Sequence, residues 1–184
     1  TPSFVQDIDF FTISSQGDAA DSGGDLNNTE NPNALSDSVR GVFAITSGSA
    51  YKNAIDYITI QSLGDAQDFG DLTDIRGYGA ALASKTRGCF IGGLDTTAPA
   101  ADLDIDVIDF VTIRSTGNAT DFGNLTNAVS QPGAASNAVR GIICGGTPNN
   151  QTTVLNEIQF ITISSTGNAT DFGDLLNVSL SGTT

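Results

Sequence analysis

One phrase dominates this sequence and limits what the chain can fold into. The eighteen residues I-Q-F-I-T-I-S-S-T-G-N-A-T-D-F-G-D-L begin at Ile158. Related copies begin at Ile108 and Ile55 and a degraded copy begins at Ile8, so successive starts lie 50, 53 and 47 residues apart. Self-similarity at such a period is typical of an array of supersecondary units. We therefore interpret residues 1–184 as a single repeat domain.

A second landmark is the dipeptide Arg-Gly, at Arg40, Arg87 and Arg140. Each arginine lies 32 residues after the isoleucine that opens its phrase, whereas the interval to the next phrase is 15, 21 or 18 residues. Constant length predicts a packed segment, and variable length predicts a surface loop on one face of the array. We expect one structural arginine per unit, bound to a carbonyl or paired with an Asp of the neighbouring hairpin. Recognition of an anionic ligand is the alternative.

The local pattern predicts short strands. In I-D-F-V-T-I, from Ile108, both faces carry β-branched or aromatic residues, which favours a strand between two neighbouring sheets. The S-T-G-N turn and the segment A-T-D-F-G-N-L then predict a return strand. A third strand is predicted near Gly79–Leu82 and a fourth in the Arg-Gly segment, ended by Gly92-Gly93 or Gly145-Gly146 where two backbones approach or the chain bends. Four short strands in about 50 residues are typical of a propeller blade.

The repeated phenylalanine of D-F-G is the predicted packing residue between units. We expect Phe69, Phe122 and Phe172 to pack between blades. The first copy has Ser22 instead, and we expect it where that packing is absent or supplied by something else, because terminal repeats often differ from the consensus.

The number of copies does not match a simple closed ring. The hairpin phrase occurs four times and the Arg-Gly segment three times, so a four-bladed ring would lack part of one blade. A small imperfect ring, an open array and a ring completed by another chain all fit this count. Unpaired strand edges favour association, so we expect a homo-oligomer or a larger assembly.

Charge argues against two classes of partner. The chain has 21 acidic and 7 basic residues, a formal net charge of −14, which repels nucleic acid and anionic membranes. The sequence has no apolar run of about 18 residues, so no membrane span is predicted. Cys89 and Cys144 are interpreted as small buried residues that form no disulfide.

Repeated carboxylates are the first candidate metal ligands. Acidic side chains in Gly-containing turns are of the kind that bind Ca²⁺, and the candidates are Asp68, Asp71, Asp121, Asp171 and Asp174. Asx turns explain the same pattern, including Asn124 at an equivalent position, so we predict turns, no cofactor and Ca²⁺ only as the weaker alternative. Asp102, Asp104, Asp106 and Asp109 have D-x-D-x-D spacing but lack the Gly and terminal Glu of an EF-hand loop, so they are interpreted as a solvated acidic loop, with a calcium site as the weaker alternative.

The sequence favours no catalytic residue. It contains no histidine, which excludes Ser-His-Asp and Cys-His arrangements within the chain. The D-F-G triplet occurs three times without the other loops of a kinase. We therefore expect that the chain is not an enzyme.

The segment R-G-C-F-I-G-G from Arg87 and the hairpin phrase after it resemble the kelch-like repeats of virion structural proteins in tailed phages, especially marine and cyanobacterial ones. The resemblance implies an all-β fold, a kelch-like β-propeller or partial propeller of about four ~50-residue repeats, completed where necessary by another chain. It also implies a non-enzymatic tail fibre, baseplate appendage or capsid decoration at the surface of the extracellular virion. The implied partners are other virion proteins. Departures from the pattern are the worn first copy and Ala44–Thr46, where Gly-Gly is expected.

A carbohydrate- or receptor-binding propeller of a host-recognition fibre or adhesin is the alternative function. Sugar sites commonly use an aromatic platform. The chain has no tryptophan, and its three tyrosines are Tyr51, Tyr57 and Tyr78.

Overall fold

The computed structural model describes residues 6–26, 32–47, 50–62, 64–95, 103–148 and 154–177. The described residues form fourteen strands in four antiparallel sheets, which confirms the all-β prediction. Within these ranges there is no helix that could cross a membrane. The strands are β1 (Asp7–Phe10) and β2 (Ala20–Asp25) in sheet 1; β3 (Asn33–Ser36), β4 (Arg40–Ser47), β5 (Ala50–Thr59) and β6 (Gln67–Asp71) in sheet 2; β7 (Ala80–Ala83), β8 (Arg87–Asp95), β9 (Leu103–Thr112) and β10 (Thr120–Asn124) in sheet 3; and β11 (Gly133–Ser136), β12 (Arg140–Cys144), β13 (Glu157–Thr162) and β14 (Thr170–Asp174) in sheet 4.

Sheets 2, 3 and 4 have the same topology, in which four consecutive strands pair as a meander. The Arg-Gly strand is the second strand, and it pairs with the first strand of the next phrase along the chain, as in the register of Arg87 with Thr112. The segment of constant length therefore runs from one sheet to the next. The variable segment joins two strands of one sheet. Sequence periodicity fixes the length of a unit but not where the unit begins, so it does not show which strands share a sheet.

The glycine pairs do not all end their strands. β8 continues through Gly92 and Gly93 to Asp95, with a register shift between Ile91 and Gly93. A Cβ on Gly93 would lie 2.6 Å from the carbonyl oxygen of Gly77, so two backbones do approach closely here. The prediction that β8 ends at its glycine pair is wrong, because a β-bulge at these glycines lets the strand continue.

The core lies between the sheets. One apolar cluster joins sheet 2 to sheet 3 and includes Phe69, Phe90 and Ile113. A second cluster joins sheet 3 to sheet 4 and includes Phe122 and Ile163. Because strands in these sheets carry apolar side chains on both faces, each inner sheet buries one face against each neighbour.

Sheet 1 is the exception to this packing. Ser22 takes the place of the phenylalanine, and it is buried with no hydrogen-bond partner for its hydroxyl among the described residues. Two exposed apolar side chains of the same hairpin, Phe11 and Ile13, are equivalent to core residues of sheets 3 and 4. The first hairpin therefore contributes less to the core than any later copy.

Candidate functional site: the junction between sheets

The repeated hairpin turn is hydrogen-bonded to the return strand of the preceding sheet. At the junction of sheets 2 and 3, the backbone N–H of Gly117 donates to the carbonyl of Phe69 at 2.7 Å, and that of Ala119 donates to Asp71 at 2.7 Å. The junction of sheets 3 and 4 repeats both bonds, from Gly167 to Phe122 at 2.7 Å and from Ala169 to Asn124 at 2.8 Å. The turn is thus a connector between sheets as well as a reversal of the chain.

A side-chain amide completes each connector. The Oδ1 atom of Asn118 accepts the backbone N–H of Asp71 at 3.2 Å, and Asn168 Oδ1 accepts that of Asn124 at 3.0 Å. These bonds close a small ring of backbone and amide groups at each junction. The asparagine of the turn therefore has a role beyond its tolerance of turn geometry.

Glycine in D-F-G is required by the same contact. A Cβ on Gly70 would lie 2.6 Å from the backbone of Gly117, and one on Gly123 would lie 2.6 Å from the backbone of Gly167. Both glycines also have a positive φ, 144° and 142°, which disfavours other residues. Repetition marks these positions in the sequence, but it does not show that the neighbouring turn lies against them.

The arginines of Arg-Gly reach across the same junctions. Arg40 Nη1 donates to the carbonyl of Ile113 at 3.1 Å, and Arg87 Nη1 donates to that of Ile163 at 2.9 Å. Each guanidinium also lies over an aromatic ring of its own sheet. The distances from Cζ to the ring centroid are 4.4 Å for Arg40 over Tyr57, 4.2 Å for Arg87 over Phe110 and 4.5 Å for Arg140 over Phe160. The guanidinium of Arg40 or Arg87 is therefore held in place by a ring in one sheet and binds the next sheet.

The last copy of the accepting strand is open. Phe69 and Phe122 are 2% and 3% exposed, but Phe172 in β14 is 55% exposed. A Cβ on Gly173 would have no neighbouring atom within 4 Å, unlike one on Gly123. The expectation that Phe172 packs between blades is wrong, because no further sheet of the described residues covers β14.

The carboxylates considered for Ca²⁺ lie in exposed or half-buried positions on the return strands. Asp121 Oδ1 accepts the N–H of Gly123 at 3.0 Å, and Asp171 Oδ1 accepts that of Gly173 at 2.9 Å, which is Asx-turn geometry. Asp68, Asp71 and Asp174 are on the same kind of strand. No group of three His, Cys, Asp or Glu side chains suited to a metal ion occurs within the described part of the chain.

The interpretation of the acidic cluster as a solvated loop is wrong. Asp104, Asp106 and Asp109 lie in β9, whereas Asp102 falls outside the described residues. Asp109 is fully buried and forms an ion pair with the buried Arg76, at 2.9 Å between Oδ2 and Nη2. The alternation of β9 that places Phe110 on one face places Asp109 on the other.

Asp109 also receives hydrogen bonds from the segment that links sheets 2 and 3. The backbone N–H of Thr73 donates at 3.1 Å and its hydroxyl at 2.8 Å. In sheet 4 the equivalent residue is Gln159, whose Oε1 accepts the N–H of Thr126 at 2.8 Å. The residue at the second position of the phrase, Asp109 or Gln159, therefore holds the segment that links two sheets. It does so with a charge in one case and without a charge in the other.

A polar cavity of about 580 Å³ lies where the turns before the Arg-Gly strands meet. Its lining includes Asp37, Ser84, Lys85 and Arg114. Ser84 Oγ accepts the backbone N–H groups of Thr86 and Arg87, at 3.4 and 3.2 Å, and is committed to its turn. The cavity thus offers an ammonium group and hydroxyls, and the hydroxyl of Ser84 is held within its turn.

Asp37 fixes one wall of this cavity. Its carboxylate accepts the backbone N–H groups of Val39 and Arg40, at 2.6 and 2.8 Å, and pairs with Arg114 at 2.6 Å. Burial acts to raise the pKa of Asp37, but the hydrogen bonds from Arg40, Arg114 and Val39 outweigh it and the pKa is lowered. A lowered pKa means that the ionised form stabilises the folded state above the unfolded pKa of about 3.9, and that this contribution is lost as pH falls through the folded pKa.

We expect Asp37→Asn to lower the free energy of unfolding by about 1 kcal/mol at pH 7 and by less at pH 3. The amide can keep both turn bonds, as Asn137 does at the equivalent turn, where it accepts Val139 and Arg140 at 2.8 Å each. Only the charge is removed. Urea denaturation at the two pH values measures the difference, and an equal loss at both would contradict the lowered pKa.

The two cysteines are free, as expected. Burial raises the pKa of Cys89 to about 12, with a smaller opposing effect from Arg87. Burial also raises the pKa of Cys144, which is half-buried.

We predict that iodoacetamide at pH 8 modifies Cys144 slowly and Cys89 at least ~1,000-fold more slowly than a free thiol, because only the thiolate reacts. Peptide mass spectrometry of native and urea-unfolded protein measures both rates. Rapid native labelling of Cys89 would contradict the packing of sheets 3 and 4.

The described tyrosines offer little free ring surface. Tyr57 is covered on one face by Arg40 and contacts Phe69 edge-on, at 5.9 Å between centroids. Its hydroxyl donates to Gln67 Oε1 at 2.6 Å. Tyr78 is half-buried, and the side chain of Tyr51 lies outside the described residues.

No model of a known protein family matches this chain, and no curated protein matches it.

Proposed function

We propose that the chain is a non-enzymatic structural protein of a bacteriophage virion, which acts by stacking sheets and by contacts of its end faces and loops with other proteins. The residue-level resemblance to kelch-like virion repeats supports the setting. The β-meanders, each joined to the next through hairpin turns, support a propeller or partial propeller. Its place is the surface of the extracellular particle, as part of a tail fibre, baseplate appendage or capsid decoration.

The architecture supports a mechanical role more than a chemical one. The most regular features of the molecule are the junctions, where backbone bonds, a guanidinium and apolar side chains recur in the same arrangement. In the cavity beside the Arg-Gly turns, Ser84 and Arg114 are committed to neighbouring groups. Stacked units of this kind gain stability from contacts with their neighbours and need no reactive group for it.

The observation that carries the proposal is the exposure of Phe172. A side chain that is buried at two junctions is 55% exposed at the third equivalent position. Half-buried Cys144 and Ile158 are equivalent to Ile91 and Ile108, which pack with Phe122, so Phe172 belongs to a contiguous apolar face of the kind that supports an interaction surface. A protein that serves an assembly is expected to retain such a surface.

Particle association tests the proposal. Virions from the source sample are banded on a caesium chloride gradient, and the chain is detected by peptide mass spectrometry and by immunogold labelling of intact particles. We expect the chain to band with particles and to remain after washing in 1 M salt. Its absence from banded particles, with abundant free protein in the same lysate, would overturn the proposal. The host's most abundant soluble proteins serve as the contamination control.

A further inference from the structure

The open face of sheet 4 carries one half of a junction. Phe172 and Gly173 occupy the places of Phe122 and Gly123, and both are uncovered. Arg140 lies over its ring as the other two arginines do, but it is exposed. Cys144 and Ile158 on the same sheet are only half-buried, whereas the equivalent Ile91 and Ile108 of sheet 3 are buried. This face has the residues that accept a further sheet.

The first hairpin carries the other half. Ile13 is 93% exposed and Phe11 is 68% exposed. The equivalent side chains of sheets 3 and 4 are buried at their junctions, namely Ile113, Ile163, Val111 and Ile161, whereas in sheet 2 Ile58 is half-buried and Ile60 is 46% exposed. The first hairpin thus presents the apolar residues that sheets 3 and 4 insert against their predecessors.

The turn of the first hairpin matches a turn that already docks in this chain. It reads Gly17-Asp18-Ala19, and the turn of sheet 2 reads Gly64-Asp65-Ala66. In that second turn, the N–H of Ala66 donates to the carbonyl of Asp25 at 2.9 Å, and Asp65 Oδ1 accepts the N–H of Asp25 at 3.2 Å. A Gly-Asp-Ala turn is therefore competent to form the connector.

The two halves do not meet within one chain. A Cβ on Gly173 would have no neighbouring atom within 4 Å, whereas one on Gly70 or Gly123 would lie 2.6 Å from a docked turn. We propose that the open face of sheet 4 binds the first hairpin of a second copy, so that copies join end to end through a junction like those inside the chain. The inference rests on the proposed function, since it treats the same exposed face as an assembly surface, and it adds the identity of the partner. Such a heterologous contact produces a ring or a filament, depending on the rotation between copies.

Charge sets the conditions for this contact. Each copy has a net charge of −14, and docking brings Asp18 towards Asp171 and Asp174. Salt shortens the Debye length from about 10 Å at 0.1 M to about 3 Å at 1 M. Association is therefore expected to increase with salt concentration, the opposite of a contact between oppositely charged surfaces.

Two variants of the full chain each block one half. Ala19→Glu enlarges the docking turn, whose equivalents Ala66 and Ala169 are buried, and Phe172→Glu removes the apolar anchor of the accepting face. Their controls are Thr12→Glu and Thr170→Glu, which add the same charge on the same hairpins. The positions equivalent to these controls stay exposed at the inner junctions: Thr59, Thr112 and Thr162 for Thr12, and Gln67 and Thr120 for Thr170.

Sedimentation velocity at 100 µM protein in 0.05, 0.15 and 1 M NaCl is the measurement. Wild type and both controls are expected to exceed the monomer mass of 18.9 kDa increasingly with salt. Each blocked variant alone is expected to remain a monomer. An equimolar mixture of the two blocked variants retains one intact pair of halves, so it is expected to form a species of about twice the monomer mass and nothing larger.

Protection of Cys144 provides a second readout. In an assembled sample the second copy covers this thiol, so its alkylation is expected to slow at least ~10-fold between 0.05 and 1 M NaCl, but not in Phe172→Glu. A monomeric wild type with a reactive Cys144 would overturn the inference. A monomeric wild type with a protected Cys144 would also overturn it and would indicate closure within one chain or cover by another segment. If the chain bands with virions in either case, only the inference fails and the proposed function stands.

Discussion

Gly123→Ala is expected to lower the free energy of unfolding by about 3–5 kcal/mol. The new Cβ would lie 2.6 Å from the backbone of Gly167, so the turn of sheet 4 has to move away. That movement breaks the hydrogen bonds from Gly167 and Ala169, each worth about 0.5–1.5 kcal/mol. A positive φ adds about 1–2 kcal/mol of strain for any residue with a Cβ.

Gly173→Ala is the matched control. Gly173 has a φ of 140°, against 142° for Gly123, and its N–H donates the same kind of bond to the aspartate two residues earlier. Its Cβ would meet nothing within 4 Å. We therefore expect a loss of only about 1–2 kcal/mol, from strain alone. Urea denaturation at low protein concentration and low salt measures both variants. Equal losses would show that the connector adds no stability.

The second large effect is expected at the buried ion pair of Arg76 and Asp109. Burial lowers the pKa of Arg76, and the charge and hydrogen bond of Asp109 oppose this shift, so the ion pair offsets part of the cost of burying the guanidinium. Arg76→Val and Asp109→Gln are each expected to cost about 3–5 kcal/mol, because each leaves one buried charge without its partner.

The chain contains a neutral version of the same site. At the junction of sheets 3 and 4, Val129 and Gln159 occupy the positions of Arg76 and Asp109, and both are buried. The double variant Arg76→Val with Asp109→Gln copies that pair, and we expect it to lie within about 1 kcal/mol of wild type. The double-mutant cycle, measured by urea denaturation, then gives a coupling of several kcal/mol. Additive losses would contradict a direct interaction.

Gln159→Leu is the control for the cycle. It removes the hydrogen bond from the N–H of Thr126 at 2.8 Å and a longer one from its own amide to Glu157 at 3.4 Å, and it removes no charge. The expected cost is about 1–3 kcal/mol, for a buried N–H left without its acceptor. A cost as large as that of Asp109→Gln would show that the linker bond, and not the charge, dominates the site.

The strands can be predicted from the sequence, but their grouping into sheets cannot. Alternation of β-branched and aromatic residues from Ile108 to Ile113 indicates a strand with two buried faces, and β9 is such a strand. The constant offset of Arg87 from the preceding phrase suggests that the two form one unit. Hydrogen bonding instead joins Arg87 to the next phrase along the chain. A repeat can be divided at any point, and only long-range pairing fixes the division.

Two features of the site escape sequence reasoning for different reasons. Asp109 follows a D-x-D-x-D run that is typical of exposed loops. The acidic composition therefore favours the prediction of a loop, although the alternation of the strand places Asp109 at a buried position. A signal is present, since Asp56, Asp109 and Gln159 occupy the same position of the phrase and all are buried. The sequence predicts burial of Phe172 because its local sequence is the same as that of Phe122, and this prediction is wrong. Exposure at this position depends on whether another sheet packs against β14, which one copy of the phrase does not reveal.

The connector between sheets has a consequence for how such chains change in length. Its backbone hydrogen bonds join main-chain groups of the phrase. Each copy therefore carries a return strand that accepts a turn and a turn that docks on a return strand, with the same bonding groups as the other copies. Joining Leu72 directly to Thr126 would delete one whole unit and bring the return strand of sheet 2 to the turn of sheet 4, with the same bonding groups on both sides. Recombination between near-identical coding segments can therefore add or remove a unit in one event without a new interface having to evolve.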